Sequence, residues 1–172
     1  MAEDNEKRPC VKASDIAPSR QTLVLTVGLP ASGKTTWALE SGFDVAISLD
    51  DCREELWGSR DIQDGPGGIT ALLECQDRKI KDAMASGKRV VVHNTNILRE
   101  YRRPLIETAK AFGYNTVIMF FDVSLSECIQ RDKNRPNPVS GPVIREFHQA
   151  LEVPEPGEAD CVYVFRDGHL LK

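Results

Sequence analysis

The stretch Thr22–Trp37, TLVLTVGLPASGKTTW, constrains this chain more than any other. An apolar, β-branched run leads into Gly28-Leu29-Pro30-Ala31-Ser32-Gly33-Lys34-Thr35-Thr36, and good helix formers follow. The spacing G-x-x-x-x-G-K-T between a strand and a helix is the phosphate-binding P-loop, in the context its mechanism requires. Gly28 and Gly33 let the backbone turn so that successive N–H groups point into one concavity. The helix from Lys34 adds its positive dipole end to the same spot. Lys34 then reaches the β- and γ-phosphates, and the Thr35 hydroxyl is placed to bind Mg²⁺, with Ser32 and Thr36 completing the loop. Every fixed position is filled and the flanks agree. The motif predicts binding of ATP or another nucleoside triphosphate.

Around this motif, apolar strands alternate with helical patterns. The strands read as Thr22–Val27, Val45–Leu49, Arg89–Val92, Asn115–Asp122 and Cys161–Phe165, with Leu170-Leu171 folding back through Asp167-Gly168. The helices run from Lys34 to Ser41, Asp51 to Gly58, Ile69 to Ala85, Arg99 to Phe112, Leu125 to Asn134 and Val143 to Leu151. Asp51 suits an N-cap, with Glu54 three residues on as in a capping box. All-apolar strands alternating with helices predict an α/β fold of the P-loop NTPase kind: a central, mainly parallel five-stranded sheet flanked by helices. Residues 1–20, charged and aperiodic, read as a mobile N-terminal arm outside the core, and residues 21–172 as one domain with a lid around 131–140. Trp37 and Trp57 sit at core spacing.

Composition matters mainly for what it excludes. A net charge of −4 gives no global positive field to hold a long nucleic acid, although a local basic site for a strand end is compatible with it. Five scattered cysteines without C-x-x-C spacing suggest neither a zinc site nor a disulfide framework. No apolar run is long enough to span a bilayer and the start has no signal-like segment, so the expectation is an intracellular protein, cytoplasmic or nuclear.

The chemistry-bearing residues follow the strands. Asp50, read at the end of the second strand, is placed to accept a proton from an incoming hydroxyl, and Arg53 on the same helix face to hold an anionic group of the acceptor. Alternatively Asp50 and Asp51 only cap the helix and Arg53 pairs with a nearby acid. Asn94, Thr95 and Asn96 after the third strand can contact acceptor or magnesium-bound water, or can make an Asx turn. His93 stands where many P-loop proteins carry a carboxylate, and reads as a hydrogen-bonded strand-end histidine. Arg131 and Arg135, beside Pro136 and Pro138, suit donor phosphates on a closing lid, Arg135 more so because it stands at the turn. They fit a solvated face equally by composition. Arg99, Arg102 and Arg103, with Lys79 and Lys81, could touch phosphates of a short strand but read rather as exposed helix charge. Tyr101 is a weak candidate for base stacking.

The motif order GLPASGKTTW, SLDDCR, HNTN and QRDKNRP, followed by NPVSGPVI, resembles that of 5′-OH polynucleotide kinases, both the phage-type enzyme and the kinase domain of animal polynucleotide kinase-phosphatases. The resemblance covers Leu23 to Phe165. It implies Lys34 and Thr35 at the nucleotide phosphates and Mg²⁺, Asp50 as general base on the 5′-OH, and Arg53 on the phosphate 3′ of the terminal nucleoside. It further implies Arg135 as the lid arginine, and Thr95 and Asn96 against the acceptor. Family members carry an aspartate at one of the positions held here by His93 and Asn94. The implied partner is a 5′-OH end of DNA or RNA, with phosphatase and ligase work done by separate proteins. Two further readings are a P-loop kinase of a small-molecule hydroxyl (nucleoside, sugar or antibiotic) and an NTP-dependent binding module.

Overall fold

The computed structural model describes residues 11–171. A single sheet runs in the order β2-β3-β1-β4-β5-β6. Its strands are β1 Thr22–Val27, β2 Val45–Ile47, β3 Val90–Val92, β4 Asn115–Phe121, β5 Cys161–Arg166 and β6 His169–Leu171. Neighbours are parallel through β5, and β6 returns antiparallel across Asp167-Gly168. The sheet thus has six strands rather than five, the added one being the fold-back at Leu170-Leu171. The helices are α1 Ala13–Ile16, α2 Lys34–Glu40, α3 Leu49–Trp57, α4 Gly68–Ala85, α5 Arg99–Ala111, α6 Leu125–Lys133 and α7 Gly141–Ala150.

β1 is central, and its side chains alternate between two cores. Leu23, Leu25 and Val27 face one core with Ile80 and Met84 of α4 and Ile106 and Ala109 of α5. Val24 faces the other, with Trp37 and Ala38 of α2, Phe121 and Ile16. Burial on both faces is what makes the strands read as unbroken apolar runs. A smaller cluster of Leu29, Cys128 and Ile144 seats α6 and α7 against the P-loop, and another of Cys52, Leu72 and Cys75 joins α3 to α4.

Besides the strand count, four expectations are corrected here. The first concerns the N-terminal segment, expected outside the core: Ala13, Ile16 and Ala17 are buried, and the Trp37 indole donates from Nε1 to the Val11 carbonyl at 2.7 Å. Residues 1–10 of the expected arm lie outside the described residues. Next, β2 stops at Ile47, so Asp50 lies in the first turn of α3 rather than at a strand end. The N-cap is Ser48, not Asp51: its extended backbone and short hydroxyl let Oγ accept the Asp51 N–H at 3.1 Å and donate to Asp51 Oδ2 at 2.7 Å.

The last correction is Arg102, expected as exposed helix charge. Its side chain is fully buried, donating from Nε and Nη2 to the two carboxylate oxygens of Glu158 and from Nη1 to the carbonyls of Asn96 and Ile97 at 2.9 and 3.1 Å. Four of the five guanidinium N–H groups are thus bonded away from water, and every nitrogen has a partner. It ties the turn after β3 to the segment before β5.

Candidate active site

The P-loop joins β1 to α2. Gly28 passes so close to β4 that a Cβ there would meet the Phe121 carbonyl oxygen and Ser32 Oγ, each at 3.0 Å. Ala31 takes φ +63° and Gly33 φ +96°, left-handed values that fold the loop back on itself. Gly33 is the N-cap of α2 and supplies no side-chain cap, which leaves the first N–H groups of that helix for an outside acceptor. Lys34 Nζ is buried against the loop, donating to the Leu29 carbonyl at 2.5 Å and to Ser32 Oγ at 3.1 Å. Burial pulls its pKa down to about 7; Cys128 opposes the fall and Arg135 adds to it. A concave backbone with an enclosed cation is a fit for phosphate. Thr36 is exposed on α2 and Ser32 buried.

From Thr35 a chain of polar contacts runs to α3. Thr35 Oγ1 lies 3.4 Å from His93 Nδ1, and His93 Nε2 lies 3.8 Å from Asp51 Oδ2. Burial lowers the His93 pKa, against the opposing pull of the Asp51 and Asp50 carboxylates. Asp51 is held from its other side by Arg60 Nη2 at 2.5 Å. Asp50, next along, is exposed and accepts from Arg53 Nη1 at 2.7 Å, whereas the Arg53 side chain is largely buried and its Nε has no hydrogen-bond partner among the described residues. The first turn of α3 therefore presents an exposed carboxylate and an incompletely bonded cation, joined to the P-loop threonine through Asp51 and His93.

The turn after β3 does a different job. Asn94 Oδ1 accepts the Leu49 N–H at 2.8 Å and its Nδ2 donates to Gln76 Oε1 at 2.6 Å. Asn96, buried at φ +44°, donates to the Thr26 carbonyl at 2.9 Å, and the Thr95 carbonyl accepts the Gly28 N–H at 3.0 Å. These three residues brace the start of α3 and the P-loop. Two of their side chains are committed to the protein itself, through bonds to distant parts of the chain rather than as a local Asx turn.

On the far side, Arg131 of α6 pairs with Glu127 and approaches the Ser32 carbonyl, Nη1 at 3.5 Å. Arg135 is half exposed in the loop between α6 and α7, its Nη1 3.7 Å from Asp132 Oδ1. The buried Asp132 carboxylate also accepts the N–H groups of Val139 and Ser140 at 3.0 Å each, fixing both ends of that loop. A cavity of about 370 Å³ behind the P-loop, bounded by Leu29, Phe121, Val123, Leu151 and Val164, includes none of these candidates.

Sequence reasoning missed Arg60 and Gln76, which hold Asp51 and Asn94. Neither belongs to a motif: Arg60 lies beyond the Gly58 helix stop, and Gln76 reads only as one position of an amphipathic helix. Among the described residues, Cys52, Cys75, Cys128 and Cys161 are free.

A protein-family model described as AAA domain matches residues 23–154. The fold is similar to that of Kti12 from Chaetomium thermophilum, solved in complex with ADP-AlF3, at 15% identity and TM-score 0.61 over 83% of this chain and 87% of that one. It is also similar to the APS kinase CysC from Mycobacterium tuberculosis, solved with AMPPNP and APS, at 20% identity and TM-score 0.54 over 86% and 90%. A chain of the Pnkp1/Rnl/Hen1 complex matches at 15% identity and TM-score 0.57, over 89% of this chain but 45% of its own length. At these identities the likeness is one of fold alone.

Proposed function

The chain belongs to the AAA domain family, and on that premise we propose that it is a kinase of polynucleotide 5′-hydroxyls, transferring the γ-phosphoryl group of ATP to a 5′-OH end of DNA or RNA. The observation that carries this reading is the Asp50–Arg53 pair, a base and an anion-holding cation one helical turn apart and tied to the P-loop through Asp51, His93 and Thr35. A hydroxyl acceptor with a phosphate on its 3′ side needs both groups together.

In this reading the P-loop backbone and Lys34 hold the β- and γ-phosphates, and Arg135 meets charge on the transferring group from the lid side. Asp50 accepts the hydroxyl proton, the 5′ oxygen attacks the γ-phosphorus in line, and ADP leaves with the electrons of the broken bond. Arg53 exchanges its bond to Asp50 for the acceptor phosphate, which frees the carboxylate as the acceptor docks. Thr35 is the protein residue that would hold Mg²⁺; when bound, the ion supplies neutralisation of phosphate charge. Partners that heal the other end and seal the strand belong to the same proposal.

A second reading, a small-molecule hydroxyl kinase, is favoured by the state of the neighbouring cations. Arg60 pairs with Asp51 and Glu54, Arg78 and Lys79 with Glu55, and Lys81 with Asp77, which leaves little open positive surface around α3 and α4 for a long acceptor. The test is transfer of label from γ-labelled ATP to a short 5′-OH oligonucleotide, a nucleoside 3′-monophosphate and a bare nucleoside. Label on the first two alone supports the proposal. Label on the bare nucleoside at equal efficiency, or on none of the three, moves the assignment to a small-molecule acceptor.

A further inference from the structure

His93 ends β3 with 4% of its side chain exposed, and its backbone N–H donates to the Ile47 carbonyl at 2.9 Å, which fixes the residue against β2. Its two ring nitrogens face different groups. Nδ1 meets a hydroxyl, Thr35 Oγ1, at 3.4 Å; Nε2 faces a carboxylate oxygen, Asp51 Oδ2, at 3.8 Å and is buried without a hydrogen-bond partner among the described residues. A neutral imidazole has one donor and one acceptor nitrogen. Against a carboxylate, which only accepts, the donor must be Nε2; the other tautomer would set a lone pair against a negative charge. Nδ1 is then the acceptor, and the Thr35 hydroxyl must donate to it. Asp51 cannot swing away to change this, since Ser48 Oγ at 2.7 Å and Arg60 Nη2 at 2.5 Å hold its two oxygens.

The geometry points to His93 as a positioning residue: Asp51 selects its Nε2–H tautomer, and the free Nδ1 draws the Thr35 hydroxyl proton inward, so that the Thr35 oxygen turns its lone pairs toward the phosphate cradle. A threonine oxygen can serve a cation only with its proton directed elsewhere, and His93 gives that proton a place. The same chain couples α2, which carries the nucleotide side, to the first turn of α3, which carries the acceptor side. The consequence for Mg²⁺ rests on the functional reading above; the tautomer does not.

Two measurements on the full chain decide it. Long-range proton–nitrogen NMR of the wild-type protein, at a pH where the His93 ring is neutral, is expected to show the Nε2–H tautomer; a dominant Nδ1–H tautomer overturns the proposal. Calorimetry of ATP binding, with Mg²⁺ and with chelator, is then compared for His93→Leu, His93→Asn and Asp51→Asn. The gain in ATP affinity on adding Mg²⁺ is expected to fall roughly tenfold in His93→Leu and Asp51→Asn, as for other groups that orient a metal ligand. His93→Asn, whose amide oxygen can stand in for Nδ1, is expected to keep most of it, and binding in chelator should be the same in all. An undiminished Mg²⁺ gain in His93→Leu and Asp51→Asn, or an equal loss in His93→Asn, overturns it. A wild-type protein that shows the Nε2–H tautomer and the Mg²⁺ gain yet phosphorylates no 5′-OH acceptor would sink the proposed function and leave this inference standing.

Discussion

Arg53 sets Nη1 2.7 Å from Asp50 Oδ1, and of the two partners it is the cation that is enclosed, 17% exposed against 61% for the carboxylate. The arginine is held in place while the carboxylate reaches outward, an arrangement suited to a base that meets solvent-borne hydroxyls. Asp50→Asn keeps the shape and removes the proton acceptor. We expect phosphoryl transfer to fall by about 10² to 10⁴, the usual worth of a positioned base, with ATP affinity close to wild type. Label transfer and titration calorimetry check the two halves, and a matching loss of ATP binding would remove Asp50 from this role.

Arg53→Ala should act on the acceptor. Loss of a charge-assisted hydrogen bond costs roughly 1.5–3 kcal/mol, so KM for a nucleoside 3′-monophosphate or oligonucleotide should rise about 10- to 100-fold. KM for ATP should move little. An effect confined to ATP would contradict the assignment.

On the proposed function, Lys34 should make nucleotide binding pH-dependent. Burial holds its pKa near 7 in place of 10.5, and a bound polyphosphate favours the charged form, so ATP binding should take up a proton above pH 7. Affinity should then weaken as pH rises from about 7, seen as a buffer-dependent enthalpy in calorimetry. For the nucleotide-free protein the sign is opposite: with the folded pKa depressed, Lys34 costs stability at and below pH 7, and that cost fades as pH climbs toward 10.5. Lys34→Met should raise the nucleotide-free Tm by several degrees at pH 6 and by less at pH 9, on the order of the few degrees that 1–2 kcal/mol gives a chain of this size. Equal shifts at the two pH values would show that Lys34 is not desolvated.

Arg102→Ala should cost about 3–5 kcal/mol in a denaturant titration, because it leaves the Glu158 carboxylate inside the protein with only the more distant Arg99, 3.6 Å away, as a cation. Arg102→Ala with Glu158→Ala together should cost less than the sum of the two single changes, the mark of direct coupling. Additive losses would mean that the two residues act apart.

How much of this was legible in the chain depended on range. The P-loop could be read because all of its parts lie within a few residues, and the strands because burial on both faces leaves unbroken apolar runs such as Val90–Val92. The start of α3 was misplaced because Ser48, Asp50 and Asp51 are all good caps, and only the folded backbone selects among them. Residues 13–17 carry too few apolar side chains for a period to show, yet Ile16 finds Val24 and Trp37. Arg102 and Glu158 stand 56 positions apart, and no local pattern could pair them. For His93 the strand-end position was readable, but Thr35 and Asp51, its two facing groups, were not.

The two tryptophans of the chain lie on different helices, α2 and α3. Trp37 lies on α2 one turn past Lys34, its indole set edge-on to Phe43 and Phe121. Trp57 closes α3, stacked over Gly65 and bonded to the Pro66 carbonyl at 3.1 Å. The protein therefore carries its own pair of fluorophores, one reporting from the donor helix and one from the helix that bears Asp50. With either indole replaced by phenylalanine, the emission of the other would follow nucleotide arrival or acceptor arrival separately, in real time and without an attached dye.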